Sequence, residues 1–144
     1  MRVLLDSKAY SNLKRGHHRI VEIVRGSEEI LLPLVVIGEL LYGFRNGSRP
    51  DRNARELHAF LDNPHVSIPA MSLTTADRYA RIAAALRAKG RPIPSNDIWI
   101  AAHTMETGAD LVSYDGHFGH VDGLAWTHVS TDQLPGHVRP PRTT

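Results

Sequence analysis

The sequence predicts an α/β fold: a three-layer α/β/α sandwich around a central, mainly parallel sheet. Two observations carry this expectation. Short apolar runs of strand length alternate along the chain with longer segments whose apolar residues recur at helical spacing. Strands separated by helices pair in parallel, and a parallel sheet needs cover on both faces, which the helices supply. No internal repeat or interdomain linker interrupts the pattern, so one domain is expected over residues 1–134. Residues 135–144 hold three prolines and few apolar side chains, and are expected to form a loosely ordered tail.

The first strand is read at residues 2–5, where Val3, Leu4 and Leu5 give an unbroken apolar run. Asp6 or Ser7 caps a helix to about Lys14, and Gly16 stops it. Ile20, Val21, Ile23 and Val24 mark a second short helix ending at Gly26. Residues 30–32 form the next strand, and Pro33 opens a helix that runs to about Arg45 and ends at Asn46-Gly47. Residues 50–61 read as an amphipathic helix with Leu57, Phe60 and Leu61 inward, and residues 66–68 as a strand closed by Pro69. Thr74 caps a long helix to Lys89, with Tyr79, Ile82, Ala83 and Leu86 on one face. Ser95 or Asn96 caps the following helix, which ends at Gly108. Residues 111–113 and 126–129 supply the last strands. Tyr42, Phe44 and Trp99 sit at core-like spacing and read as packing residues.

Composition narrows the function classes. No run reaches the ~18 apolar residues of a membrane-spanning helix. The start, Met1-Arg2-Val3-Leu4-Leu5-Asp6, meets a charge too soon for a signal peptide. The absence of Cys excludes disulfides, thiolate zinc sites and a cysteine nucleophile, and fits a cytoplasmic setting. The net charge of +2 is not that of a polycation, but the cations are mostly Arg and are clustered. One group runs from Lys14 and Arg15 to Arg25, a second from Arg45 to Arg55, and a third from Arg78 to Arg91. A guanidinium matches phosphate oxygens, so these stretches could track a nucleic-acid backbone; for any single cluster the favoured reading is a solvated helix face with partners four residues away.

Four acids stand in apolar settings. Glu39 is the only charge in LLPLVVIGELLYGF, residues 31–44. Neither a cap nor a turn explains a carboxylate inside so apolar a helix, and a buried one without a partner costs several kcal/mol or gives up its charge. Asp6 ends a strand, Asp97 opens the helix NDIWIAA, and Asp115 follows the strand LVS. Taken singly, Asp6 reads as an N-cap, Asp97 as a first-turn acid and Asp115 as a turn residue. Ligands gather at the carboxyl ends of parallel strands, where one sheet edge would collect all four. Carboxylates that close repel strongly, and a hard divalent cation, Mg²⁺ or Mn²⁺, relieves the repulsion.

Other chemistries find less support. Neither a GxGxxG nor a GxxxxGKS phosphate loop occurs, nor a GxSxG elbow. A zinc site built on His117 and His120 is disfavoured, because their spacing in a loop gives no shared helical face. His103 is expected to pack or hydrogen-bond rather than ligate.

The segments LLDSKAYS (residues 4–11), LLPLVVIGELLYGF (31–44), PIPSNDIWIAAH (92–103) and LVSYDGHF (111–118), in this order, resemble the PIN-domain ribonucleases, specifically the VapC-type toxins of bacterial toxin–antitoxin pairs. The resemblance implies a Mg²⁺-dependent endoribonuclease, with Mn²⁺ as a possible substitute. It puts the family's acidic tetrad on Asp6, Glu39, Asp97 and Asp115, both catalytic and metal-holding, with Asn96 and Ser113 in supporting positions. It also implies a cognate antitoxin, an RNA substrate and a homodimer. One position departs from the family pattern. Two residues after the first acid the family usually carries Ser, Thr or Asn, and here stands Lys8. An ammonium there would compete with the metal for Asp6 or bind the scissile phosphate directly, and weaker metal affinity is expected. Two other functions fit the same residues: a non-catalytic RNA- or protein-binding module, in which Lys8 replaces the metal's charge, and a receiver-like phosphoacceptor.

Overall fold

The computed structural model describes residues 1–130. The expected tail, 135–144, lies outside the described residues, as do 131–134. In chain order the elements are β1 (Arg2–Leu5), α1 (Ser7–Lys14), α2 (His18–Arg25), β2 (Glu29–Leu31), α3 (Leu34–Arg45), α4 (Pro50–Leu61), β3 (Val66–Ser67), α5 (Leu73–Ala88), α6 (Ser95–Thr107), β4 (Asp110–Ser113), a 3₁₀ turn (Gly116–His120) and β5 (Trp126–His128). The five strands form one sheet in the order β3-β2-β1-β4-β5, and every pairing is parallel.

β1 holds the centre because it can. Val3, Leu4 and Leu5 are wholly buried, and only a strand covered on both faces tolerates so continuous an apolar run. Right-handed crossovers send α1 to α4 to one face as the chain moves outward through β2 and β3, and α5 and α6 to the other as it returns to β4. Two cores correspond to these layers. One joins Ala9, Tyr10, Ile20, Val36, Leu40 and Leu57 to the strands. The other packs Ile82 and Leu86 of α5 against Ile98, Ala101 and Ala102 of α6. The two alanines have no exposed surface and let α6 lie close to its neighbours. Gly108 then ends α6 in the left-handed conformation (φ 70°), which turns the chain directly into β4.

Some details differ from the sequence reading. The cap of α5 is Ser72 rather than Thr74: Ser72 and Thr75 exchange side-chain and backbone hydrogen bonds, and both hydroxyls donate to Glu106. β3 stops at Ser67, and Ile68 is exposed. Tyr42 is 71% exposed instead of packed, because α3 is apolar around most of its circumference and only one side meets the core. Trp99 stacks on Tyr79 at a ring separation of 4.2 Å. Several arginines take the solvated-face option, with Arg52–Glu56 and Arg81–Asp77 pairing four residues apart.

Candidate metal centre at the carboxyl edge of the sheet

β1 and β4 are neighbours, yet the chain leaves them in opposite directions, after β1 toward β2 and after β4 toward β5. Such a divergence opens a crevice beyond the strand ends, where α/β sheets bind ligands. The register pairs Leu5 with Val112, so the residues emerging next are Asp6 and Ser113.

Asp6 is buried and doubly held. One carboxylate oxygen caps α1 by accepting from the Ala9 backbone N–H at 2.9 Å, and the other accepts from the Ser113 hydroxyl. Burial pushes its carboxyl from 3.8 up to about 6. The two hydrogen bonds act against that rise, while repulsion from Asp97 and Asp115 adds to it. The Ser113 oxygen also accepts the Asp115 backbone N–H at 3.0 Å, so one hydroxyl ties the ends of β1 and β4 together.

Asp97 stands in the first turn of α6, where the helix dipole favours a carboxylate. Desolvation raises its pKa, with the His117 contact opposing and Asp115 adding to the rise. His117 lies between the two acids: Nε2 is 2.7 Å from Asp97 Oδ2, and Nδ1 is 2.9 Å from Asp115 Oδ1. Ligand atoms of Asp97, Asp115 and His117 all fall within 4.8 Å of one another, a span that a single cation can share.

Glu39 is placed differently from the buried carboxylate expected. It is half-buried, accepts from the Ser7 hydroxyl at 3.1 Å, and lines a cleft of about 650 Å³ together with Ser7, Lys8 and Tyr10. Ser7 follows Asp6 directly, so Glu39 joins the rim of the site from α3, outside the trio that shares 4.8 Å. Lys8 is exposed, with its ammonium 5.6 Å from the centre of the Tyr114 ring, and makes no ion pair with any of the four acids. Asn96 is exposed at the start of α6, and Ser113 is fully buried.

His117 is the residue that sequence reasoning passed over as a loop histidine. Its neighbour carried the signal. Phe118 is almost wholly buried, and an aromatic anchor in a five-residue 3₁₀ turn capped by Asp115 locks the preceding ring toward the strand ends. His120 is exposed and faces away, with its backbone carbonyl accepting from Lys89. His103 packs inside α6, as expected, with neither ring nitrogen hydrogen-bonded.

The donor chemistry suits a hard divalent cation. The oxygens of Asp97 and Asp115 converge, burial penalises the charge of Asp6 and of Asp97, and a cation would reverse that penalty.

Residues 3–124 match the family model of the PIN domain, and the chain belongs to that family. It is 24% identical over 128 residues to Ribonuclease VapC1 of Haemophilus influenzae (strain R2866), across 85% of this chain and 94% of that protein. Its fold resembles that of VapBC-1 from nontypeable Haemophilus influenzae, with a TM-score of 0.78 at 22% identity over 89% of this chain and 98% of that one. VapBC2 from Rickettsia felis, solved bound to a DNA fragment from its promoter, gives a TM-score of 0.76 at 24% identity with the same coverage. The α/β/α architecture and the VapC-like resemblance read from the sequence are both borne out.

Proposed function

We propose that this protein is a metal-dependent endoribonuclease, the toxin of a toxin–antitoxin pair, and that it hydrolyses RNA phosphodiesters at the crevice between β1 and β4. The observation that carries the proposal is the convergence of Asp97 and Asp115 at that crevice, with Asp6 near enough for both charges to act on it, in a chain whose relative VapC1 is named a ribonuclease.

Asp6, Asp97 and Asp115 would hold Mg²⁺, with Mn²⁺ able to substitute, and Glu39 would complete the set from the cleft side. Such an ion supplies Lewis acidity toward the phosphodiester and toward water. The protein's own part is orientation. Ser113 and the Ala9 N–H fix both oxygens of Asp6, and the α6 N-terminus supports negative charge on Asp97. Lys8, free of acidic partners at the mouth of the cleft, is suited to pair with a phosphate of the bound strand, and Asn96 offers a polar contact beside Asp97.

The partners follow from the same reading: an RNA substrate, a cognate antitoxin and a second copy of the chain. Leu34 and Tyr42 on α3 and Leu73 at the start of α5 are exposed apolar side chains of the kind such interfaces cover. Among the described residues no helix is long and apolar enough to cross a membrane. RNA as substrate places the activity in the cytoplasm.

The test is cleavage of pooled tRNA and rRNA by the purified protein with Mg²⁺ or Mn²⁺, beside an EDTA lane and the Asp97→Asn variant. Discrete cuts that vanish in both controls are expected. Intact RNA in every lane, or undiminished cutting by Asp97→Asn, would overturn the proposal.

A further inference from the structure

His117 contacts both acids of the candidate metal centre through different ring nitrogens, 2.7 Å to Asp97 and 2.9 Å to Asp115. An arginine or lysine could neutralise the same two carboxylates, but neither would serve as a ligand. An imidazole can, with one nitrogen on a metal and the other N–H held by a carboxylate, the arrangement that fixes the ring of most metal-binding histidines. The ring is also pre-positioned. Phe118 anchors its turn in the core, Asp115 caps that turn, and only about a quarter of the His117 side chain is exposed.

We propose that His117 is a ligand of the ion held by Asp97 and Asp115, and that it tips the selectivity of the site from Mg²⁺ toward first-row ions that accept nitrogen, Mn²⁺ among them. The inference rests on the metal-nuclease reading above and adds to it. Mg²⁺ takes oxygen donors and gives up water reluctantly, so an imidazole adds little to its binding. Mn²⁺ has the same charge and accepts carboxylate and imidazole together, so the same ring favours it. Removing the imidazole should therefore cost Mn²⁺ affinity selectively. A histidine that acted only as a counter-cation would do the reverse: its loss would strengthen binding of both ions alike.

Binding of Mn²⁺ alone, followed by the EPR signal of the free aqueous ion, and of Mg²⁺ by competition, decides between these in the full-length protein, His117→Ala and Asp97→Asn. We expect His117→Ala to raise the Mn²⁺ Kd on the order of tenfold while the Mg²⁺ Kd stays within about twofold. Asp97→Asn should weaken both ions. In the Mn²⁺-loaded wild type, pulsed EPR should show ¹⁴N modulation from a bound imidazole, a readout that needs no variant to fold. Unchanged Mn²⁺ affinity in His117→Ala, tighter binding of both ions, or no ¹⁴N modulation would overturn the inference and leave the metal-nuclease reading standing. Failure of the wild type to bind either ion would overturn both.

Discussion

Replacing Asp6 by asparagine should stabilise the metal-free protein at neutral pH, although it removes a residue assigned to the metal centre. The asparagine keeps both contacts in altered form: its carbonyl oxygen still accepts from the Ala9 N–H, and its NH₂ donates to the Ser113 oxygen where the carboxylate had accepted. What disappears is the cost of a buried charge. The native carboxyl titrates at about 6, raised mainly by burial from the 3.8 of an ordinary aspartate. A gap of about two units, at about 1.4 kcal/mol each, amounts to roughly 3 kcal/mol. This is an upper limit, since water entering the open crevice eases the penalty.

The sign follows from proton binding. Between about pH 4 and pH 6 the folded chain retains a proton that the unfolded chain has released, so stability falls as pH rises through this window and stays lower above it. Asp6→Asn should therefore match the wild type near pH 4 and exceed it at pH 8 by up to about 3 kcal/mol, or roughly 10 °C in Tm for a chain of this size. Urea and thermal unfolding in EDTA at the two pH values measure the difference. Adding Mn²⁺ at pH 8 should narrow it by stabilising the wild type more than the variant, which has lost one carboxylate. An equal gain at both pH values, or none at pH 8, would refute the claim that Asp6 is penalised for its charge.

Ser113→Ala removes the donor to Asp6 and the acceptor of the Asp115 N–H together; we expect a loss of about 1–3 kcal/mol in urea unfolding, with Ser113→Thr close to wild type. Phe118→Ala should cost about 3–5 kcal/mol by leaving a cavity under the 3₁₀ turn, and should weaken Mn²⁺ binding as His117 and Asp115 lose their support. Lys8→Ser should raise the KM for RNA severalfold and leave the Mn²⁺ Kd within about twofold, because the ammonium pairs with none of the acids. A tenfold tightening of metal binding in Lys8→Ser would instead support the direct competition for Asp6 considered from the sequence.

The framework was legible because each element declared itself locally. A three-residue apolar run before an acid yields a buried strand and a capped helix, and Asp6 plays both parts. Asp97 and Asp115 could be placed for the same reason, one at a helix start and one just beyond a strand. What stayed hidden depends on contacts between distant segments. Nothing near residue 113 reveals that its hydroxyl meets Asp6 across a parallel register, and nothing near residue 117 that its ring spans two acids. Glu39 was taken as deeply buried because α3 is apolar nearly all round, and periodicity cannot say which side of such a helix faces the core. The α5 cap was missed because Thr75 takes the position where a capping box usually has Glu or Gln.

The hydrogen bond from the Ser113 hydroxyl to Asp6 joins the fourth strand to the end of the first, across 107 residues of chain. During synthesis the helices and the β1–β2 pair can form while the ribosome is still translating, but the crevice cannot exist until β4 has emerged and docked beside β1. Loop closure over that length is a late event. A nascent or prematurely terminated chain that lacks β4 therefore lacks Ser113 and Asp115 and cannot assemble the proposed metal centre. The topology delays the crevice until almost the whole molecule has been made.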